Sequence, residues 1–218
     1  MFGKVRGGVQ IKICGLTNQS DALAAIECGA NALGFNLYPG SKRYIDIKVA
    51  SQWIKKLPRD VCKVAVMVNP TAADALRTGQ LAFIDGLQLH GQESPEFCQK
   101  LTEAGIRFAK AVPMKDDQSI VGIPSFHTST IVLDSATESA FGGSGKKFPW
   151  VLARRFIDEN PGLKVILAGG LTVKNVANAL REVRPFGVDV TTGVERSPGQ
   201  KDHLQLRAFV DAVRSFRS

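Results

Sequence analysis

A single thiol, Cys14, stands in the segment VQIKICGLTN (residues 9 to 18), directly after a short apolar run and directly before a glycine. Free cysteine is often a small buried packing residue, but as a thiolate it is a base or a nucleophile. A position where a strand turns into a helix, near helix amino termini, favours the chemical interpretation. Cys14 is therefore a candidate catalytic residue.

Three further residues are candidates for chemistry or binding. Asp134 ends the apolar run TIVLD, so its carboxylate is either hydrogen-bonded structurally or directed into a cavity. Arg43 lies in SKRYI, and its planar guanidinium suits a carboxylate ligand, although a solvated loop is the ordinary alternative. His90 in LQLHG is either a structural residue at a strand end or a group that titrates near neutrality.

Three glycine-containing segments in the second half of the chain indicate a phosphate site. Glycines allow close backbone approach and unusual dihedral angles, and such loops bind phosphate through backbone N–H groups. Glycines also serve ordinary tight turns, so each segment alone is weak evidence. The candidate phosphate-binding residues are Gly142, Gly143, Ser144 and Gly145 in FGGSGKKF, Gly169 and Gly170 in LAGGLT, and Thr192 and Gly193 in TTGVE.

Short apolar runs, each followed by a break and a helix-like segment, predict eight strands. The predicted strands are residues 9 to 13, 32 to 37, 62 to 68, 86 to 89, 107 to 112, 130 to 134, 164 to 168 and 187 to 190. Helix signals lie between them: Asn18 or Ser20 as a cap with Gly29 as a stop, and Ser94, Pro95 and Gly105 around another helix.

Strands that alternate with helices require right-handed crossovers and a parallel sheet. Eight units in 218 residues predict a single (β/α)8 barrel domain over residues 1 to 218, with residues 1 to 8 as a short amino-terminal extension. A doubly wound open sheet is the second candidate, but no G-x-G-x-x-G segment opens the first helix.

In a (β/α)8 barrel the active site lies at the carboxyl ends of the strands, and phosphate often binds between the loops after strands seven and eight. This rule groups the polar residues at the strand ends on one face, and it favours a phosphate site in the glycine segments. Asp189, in the alternating run GVDV, is expected to point into the barrel and to orient other groups. The residues expected at this face are Cys14, Asn36, Arg43, His90, Asp134 and Asp189.

Composition limits the class of protein. The hydrophobic fraction is 44%, no stretch reaches the length of a membrane span, and the four scattered cysteines are expected to be free thiols, so we expect a cytoplasmic protein with no membrane partner. The net charge of +8 is spread along the chain with only 7% aromatic residues, which favours a small anionic substrate over nucleic acid. No metal-ligand cluster is present in the sequence, and we expect no metal or other cofactor.

Seven segments, taken together, resemble the phosphoribosylanthranilate isomerase family over essentially the whole chain from residue 9. They are IKICGLT, GFNLYPGSKRYI, LQLHG, LDS, GGSGKKFPW, LAGGLTVKNV and PFGVDVTTGVERSPGQKDH. The sequence departs from the family pattern at Pro149, which stands where an acidic residue is common, and at Asn36 and Leu37, where the pattern is more aromatic.

The resemblance implies an Amadori rearrangement in tryptophan biosynthesis that converts N-(5-phosphoribosyl)anthranilate into 1-(o-carboxyphenylamino)-1-deoxyribulose 5-phosphate. It implies that Cys14 is the general base, Asp134 the general acid, and Arg43 the residue that binds the anthranilate carboxylate. It also implies a small phosphosugar substrate, no organic cofactor, and a monomer or a homodimer.

Three alternatives stay open on the sequence. A related phosphosugar barrel, such as an epimerase or an indole-glycerol-phosphate synthase, shares the glycine loops but commonly uses carboxylates or a lysine for acid-base chemistry. A bifunctional isomerase that also accepts the histidine-pathway aminoaldose needs a second anion site opposite the first. A binding module that uses the basic surface needs neither Cys14 nor Asp134.

Overall fold

Eight parallel strands form the centre of the protein, in a computed structural model that describes residues 8–120, 122–135 and 150–216. Each strand lies within two residues of its predicted bounds. The strands are β1 (Gln10–Ile13), β2 (Ala32–Asn36), β3 (Cys62–Met67), β4 (Gly86–Leu89), β5 (Phe108–Met114), β6 (Thr130–Ser135), β7 (Lys164–Leu167) and β8 (Gly187–Val190).

The strands close into a barrel in chain order, which confirms the predicted fold class and rules out the open sheet. Closure is made by β8 against β1, with Lys12 opposite Asp189 and Ile13 opposite Val190. All eight strands are parallel, so their carboxyl ends meet at one end of the barrel.

Seven α-helices in the described ranges surround the barrel. The largest apolar cluster joins the strands to these helices and includes Phe35, Phe156 and Phe209, which are almost completely buried. The helices are α1 (Gln19–Cys28), α2 (Ile47–Ile54), α3 (Ala72–Gly79), α4 (Pro95–Glu103), α5 (Trp150–Glu159), α6 (Val176–Val183) and α7 (His203–Arg214).

The helix signals in the sequence are borne out at both ends of two helices. The Asn18 side chain accepts from the backbone N–H of Asp21 at the start of α1, and Gly29 ends α1 in the left-handed region, at φ 102°. Ser94 caps α4, Pro95 is its first residue, and Gly105 follows it at φ 70°. These local signals place each helix between its two strands.

The fifth unit differs from the predicted alternation of strand and helix. Between β5 and β6 the described chain forms two short 3₁₀ turns, Asp117–Ile120 and Ile123–Phe126, instead of an α-helix. Gly122 lies in the left-handed region, at φ 79°, between the two turns, and Pro124 lies inside the second. A residue at this angle interrupts the regular helical repeat, and proline lacks the N–H that a helix interior needs.

A short antiparallel hairpin follows β8 and was not predicted from the sequence. Its strands are β9 (Glu195–Ser197) and β10 (Gln200–Lys201), joined by a turn in which Gly199 has φ 80°. The Thr17 hydroxyl donates to the Gly199 carbonyl at 2.5 Å, so a hydrogen bond connects the hairpin to the loop after β1. In the described part of the chain, no helix combines the length and the apolar character of a membrane span.

Gly105 offers a test of the helix stop after α4, at the barrel end opposite the strand carboxyl termini. A Cβ built at Gly105 meets no atom within 4 Å, so the cost of Gly105→Ala is backbone strain alone. An L-residue in the left-handed region costs about 1 to 2 kcal/mol, and the free energy of unfolding should fall by about that amount. Urea denaturation measures it.

Gly162 provides the matched control for this variant. It is also exposed and also has open space around its Cβ position, but its φ is not positive. We expect Gly162→Ala to be neutral or slightly stabilising. Equal losses in the two variants would contradict the assignment of the strain to Gly105.

Candidate active site

Cys14 lies immediately after β1, at the carboxyl end of the barrel, with 8% of its surface exposed. Its backbone N–H donates to the Val190 carbonyl at 2.9 Å, which extends the β1–β8 pairing by one residue. Gly34 on β2 leaves room for the sulfur, because a Cβ there would lie 2.6 Å from Cys14 Sγ and 3.0 Å from Lys12 Nζ. The thiol is therefore held between neighbouring strands beside an ammonium group.

That ammonium belongs to a buried ion pair inside the barrel. Lys12 Nζ donates to Asp189 Oδ2 at 2.8 Å, with the two side chains 1% and 6% exposed. Burial opposes the charge of Lys12, but Asp189 and, to a smaller extent, Cys14 outweigh it and raise the pKa of Lys12 above its ordinary value. Asp189 does point into the barrel, as the sequence predicts, and it holds the cation that faces Cys14.

Arg43 reaches the same face from the loop after β2. Ile45 N–H donates to the Asn36 carbonyl and Arg43 N–H donates to the Ser41 hydroxyl, so the loop returns to β2 just beyond Arg43. Gly15, at φ 73°, makes the approach possible: a Cβ there would lie 2.5 Å from Arg43 Cδ. The Arg43 side chain thus passes directly beside the residue that follows Cys14.

Glu195, at the start of β9, binds the guanidinium of Arg43 along one edge. Arg43 Nε donates to the two carboxylate oxygens at 2.9 and 3.1 Å, and Arg43 Nη2 donates to Oε2 at 2.6 Å. Arg43 Nη2 also lies 3.3 Å from the hydroxyl oxygen of Thr192. The Arg43 side chain is 22% exposed and the Glu195 side chain 3% exposed, so the arginine keeps access to solvent while its partner is buried.

Lys201 on β10 joins Glu195 to Cys14. Its buried Nζ donates to Glu195 Oε1 at 3.1 Å, to the Cys14 carbonyl at 2.6 Å and to the Thr191 carbonyl at 3.2 Å. Burial lowers the pKa of Lys201, although Glu195 offsets part of the effect. Burial alone would raise the pKa of Glu195, but Arg43 and Lys201 more than compensate, so its pKa lies below the usual value.

Asp134 lies near the end of β6, also at the carboxyl face, and is partly exposed. Its Oδ2 is 3.3 Å from His90 Nε2, and His90 Nδ1 is 3.2 Å from Gln88 Nε2 on β4. A Gln88 amide that donates to Nδ1 corresponds to the imidazole tautomer with its proton on Nε2, which then donates to Asp134. His90 is therefore a neighbour of the candidate acid.

The loops after β7 and β8 meet beside Arg43. Gly169 and Gly170 adopt φ 80° and 64°, and within the described residues their N–H groups and that of Leu171 donate to no protein group. Gly193 lies against the first loop, since a Cβ there would collide with the Leu171 carbonyl oxygen. The two loops thus form a backbone surface with N–H donors available for an anion.

The remaining predicted site residues have different outcomes. Asn36 lies at the end of β2, where its side chain serves the local loop by contacts to Ser41 and Tyr38. Gly142, Gly143, Ser144 and Gly145 lie outside the described residues. Within the described ranges, no group of three or more His, Cys, Asp or Glu side chains is arranged to hold a metal ion.

Three charged residues of this site were not singled out from the sequence: Lys12, Glu195 and Lys201. The one signal for Lys12 in the sequence was its place inside the predicted strand VQIKI, and in the structure every residue of β1 is buried. Glu195 and Lys201 lie in VERSPGQKD, part of a segment that resembles the family, but no role was assigned to either residue. Only the hairpin of β9 and β10 brings the two side chains together and turns them inward.

A closed parallel barrel with a thiol, a carboxylate and an arginine at the carboxyl ends of its strands is the architecture of a (β/α)8-barrel enzyme. The family model described as N-(5'-phosphoribosyl)anthranilate (PRA) isomerase matches residues 11–212. The chain belongs to this family.

Individual relatives agree with this membership. The chain is 39% identical over 212 residues to N-(5'-phosphoribosyl)anthranilate isomerase from Pelobacter propionicus, covering 96% of this chain and 98% of the relative. It is 42% identical to the enzyme of the same name from Thermotoga neapolitana, over 93% of this chain and 97% of the relative.

Solved structures match the fold as well. The crystal structure of phosphoribosyl anthranilate isomerase from Thermotoga maritima superposes with a TM-score of 0.87 at 39% identity, over 95% of this chain and all of the other. A second isomerase structure, in complex with reduced 1-(o-carboxyphenylamino)-1-deoxyribulose 5-phosphate, has a TM-score of 0.83 at 35% identity, over 95% of this chain and all of the other.

The low pKa of Glu195 predicts a specific acid sensitivity. Because its folded pKa lies below the ordinary value of 4.5, the unfolded chain binds the proton first, and stability is lost as the pH falls below about 4.5 and through the folded pKa. Glu195→Gln cannot titrate, so its free energy of unfolding should fall less steeply over this range, from a lower starting value at neutral pH. Urea midpoints measured between pH 7 and about pH 3 give both slopes.

The control for this measurement is Glu182→Gln, a neutralised carboxylate exposed on α6. Other carboxylates also titrate, so we expect Glu182→Gln to keep the acid slope of the wild type. An unchanged slope in Glu195→Gln would show that Arg43 and Lys201 do not lower the pKa of Glu195 in the folded protein.

Proposed function

We propose that the protein catalyses the Amadori rearrangement of N-(5'-phosphoribosyl)anthranilate to 1-(o-carboxyphenylamino)-1-deoxyribulose 5-phosphate, a step of tryptophan biosynthesis. The observation that carries the proposal is the position of Cys14 and Asp134 at the carboxyl ends of β1 and β6, within a chain of the isomerase family. Strands β7 and β8 lie between them, and the loops of these two strands offer the anion-binding surface.

The first step opens the furanose ring. Asp134, in its protonated form, donates a proton to the ring oxygen while the bond from that oxygen to C1′ breaks and the anilino nitrogen supplies the electron pair of the new C=N bond. His90, 3.3 Å from Asp134 Oδ2, orients the carboxyl group. The product of this step is an iminium ion, in which the proton on C2′ is acidic.

The second step removes that proton. Cys14, as a thiolate, takes the C2′ proton, and the electron pair forms the C1′–C2′ double bond of an enolamine while the nitrogen is neutralised. Lys12 Nζ beside the sulfur stabilises the negative charge on the thiolate. Loss of the O2′ proton and protonation of C1′ then give the ketone, so substrate and product are isomers and no redox partner is consumed.

Binding is assigned to the remaining groups. The backbone N–H groups of the loop at Gly169 and Gly170, with Thr192 and Gly193 opposite, bind the phosphate, together with Gly142, Gly143, Ser144 and Gly145. Arg43 binds the ring carboxylate. We further propose that the protein acts in the cytoplasm on this small phosphosugar, without nucleic acid or membrane partners, as a monomer or a homodimer; one relative of known structure is described as dimeric.

The alternative of a related phosphosugar barrel has less support. Such enzymes commonly use carboxylates or a lysine for acid-base chemistry. Here a thiol stands at the end of β1, and the lysine beside it, Lys12, is paired with Asp189. An assay that follows the decay of phosphoribosylanthranilate fluorescence distinguishes these activities directly.

Cys14→Ala tests the catalytic base. We expect turnover to fall by about two orders of magnitude or more, with little change in substrate binding, because a general base acts in the transition state. The fluorescence assay gives kcat and KM. Cys28→Ala, at the end of α1, is the matched control and should keep wild-type turnover. Near-wild-type turnover in Cys14→Ala would return this thiol to a packing role.

Arg43→Ala and Arg43→Lys test the carboxylate site. Loss of a charge-assisted hydrogen bond costs about 1.5 to 3 kcal/mol, so KM should rise roughly ten- to hundredfold and more than kcat falls. Arg43→Lys keeps the charge but loses the planar fork, and should also raise KM. Lys42→Ala, an exposed neighbouring cation, is the control and should leave KM unchanged. A fall in kcat alone would place Arg43 in the chemistry instead.

A further inference from the structure

Two of the three nitrogens of the Arg43 guanidinium, Nε and Nη2, already donate hydrogen bonds to protein groups. Its Nε and Nη2 edge is bound by Glu195, and the second N–H of Nη2 points to Thr192. Within the described residues, Nη1 donates to no protein group. A carboxylate ligand of Arg43 therefore binds at Nη1, because Nε and Nη2 already donate to Glu195 and Thr192.

Glu195 is built to hold this arrangement and is unsuited to react. Its two oxygens accept from Arg43, from Lys201 Nζ at 3.1 Å and from the Gly199 N–H at 3.2 Å, and its side chain is 3% exposed. A carboxylate with this many donors is a poor base, because each donor stabilises its ionised form. Glu195 therefore positions Arg43 and Lys201.

The same carboxylate connects Arg43 to the backbone of the candidate base. Lys201 Nζ, held by Glu195, also donates to the carbonyls of Cys14 and Thr191. Two cations and one anion leave this cluster with a net charge of +1, so Glu195 orients Arg43 without cancelling the attraction for an anionic ligand. The cluster is thus a rigid and positively charged support.

We propose that Glu195 is the positioning residue that fixes Arg43 with only its Nη1 side presented to the substrate, and thereby sets the preference for a substrate ring that carries a carboxylate. The inference rests on the proposed function, in which Arg43 binds that carboxylate. Without Glu195, the guanidinium loses its bidentate partner and turns freely about its side-chain bonds, so its hydrogen bonds to the ligand lose their fixed direction.

Two product analogues test the inference: 1-(o-carboxyphenylamino)-1-deoxyribitol 5-phosphate and the same compound without the ring carboxylate. Calorimetric dissociation constants are measured for wild type, Glu195→Gln and the exposed control Glu182→Gln. We expect wild type and Glu182→Gln to prefer the carboxylate analogue roughly ten- to hundredfold. In Glu195→Gln the preference should fall to about threefold or less, with the affinity for the analogue without carboxylate nearly unchanged.

The two analogues separate positioning from general structural support. Equal weakening of both analogues in Glu195→Gln would show that Glu195 only supports the fold, and unchanged affinity for both would show that Arg43 does not depend on it; either result overturns the inference. If wild type itself binds both analogues equally well, the proposed role of Arg43 fails instead. The two failures are therefore distinguishable.

Two further variants keep the test decisive. Glu195→Gln leaves the buried Lys201 ammonium without its anion; if this variant does not fold, Glu195→Gln combined with Lys201→Met removes both charges. In an Arg43→Ala background, Glu195→Gln should change the ratio of the two affinities by less than about twofold, because its target is gone. A large further change in that background would also overturn the inference.

Discussion

Closure of the barrel by β8 against β1 is the constraint on which the rest of the site depends. The register of this pair puts Lys12 opposite Asp189, and a buried lysine without that carboxylate would carry a large desolvation cost. The same pairing, extended by the bond from Cys14 N–H to the Val190 carbonyl, sets the thiol beside the loop that begins at Thr191. One register therefore determines the ion pair, the position of the candidate base and the place of the candidate phosphate loop.

The strands and their polar ends were predictable, because each rests on a local pattern. Apolar runs of strand length define the bounds, and the rule that parallel strands end at one face brings Cys14 and Asp134 to that face without any knowledge of contacts. Arg43 was singled out as a candidate because the planar guanidinium of arginine suits a carboxylate ligand. These inferences need only a residue type and its place in an element.

The buried charges were not predictable, because their meaning lies in pairs that are remote in the chain. Lys12 pairs with Asp189 across 177 residues, and Arg43 pairs with Glu195 across 152. Asp189 and Arg43 were singled out from the sequence, but their partners Lys12 and Glu195 look like solvated charges, which is the usual place for such side chains. The helix expected between β5 and β6 rested on the alternation alone, and in the described residues Gly122 and Pro124 accompany two 3₁₀ turns instead.

The two candidate proton-transfer groups have opposite requirements, and the protein gives them opposite surroundings. The base needs a negative charge when it acts, and Cys14 is buried next to Lys12, with Lys201 on its own carbonyl and Arg43 beside Gly15. The acid needs its proton, and in the described part of the chain Asp134 has no lysine or arginine in an ion pair with it, only His90. A cation close to Asp134 would hold it as a carboxylate and oppose ring opening. Among the described residues, the cations Lys12, Lys201 and Arg43 therefore lie around the candidate base, and the ion-pair partner of the candidate acid is His90.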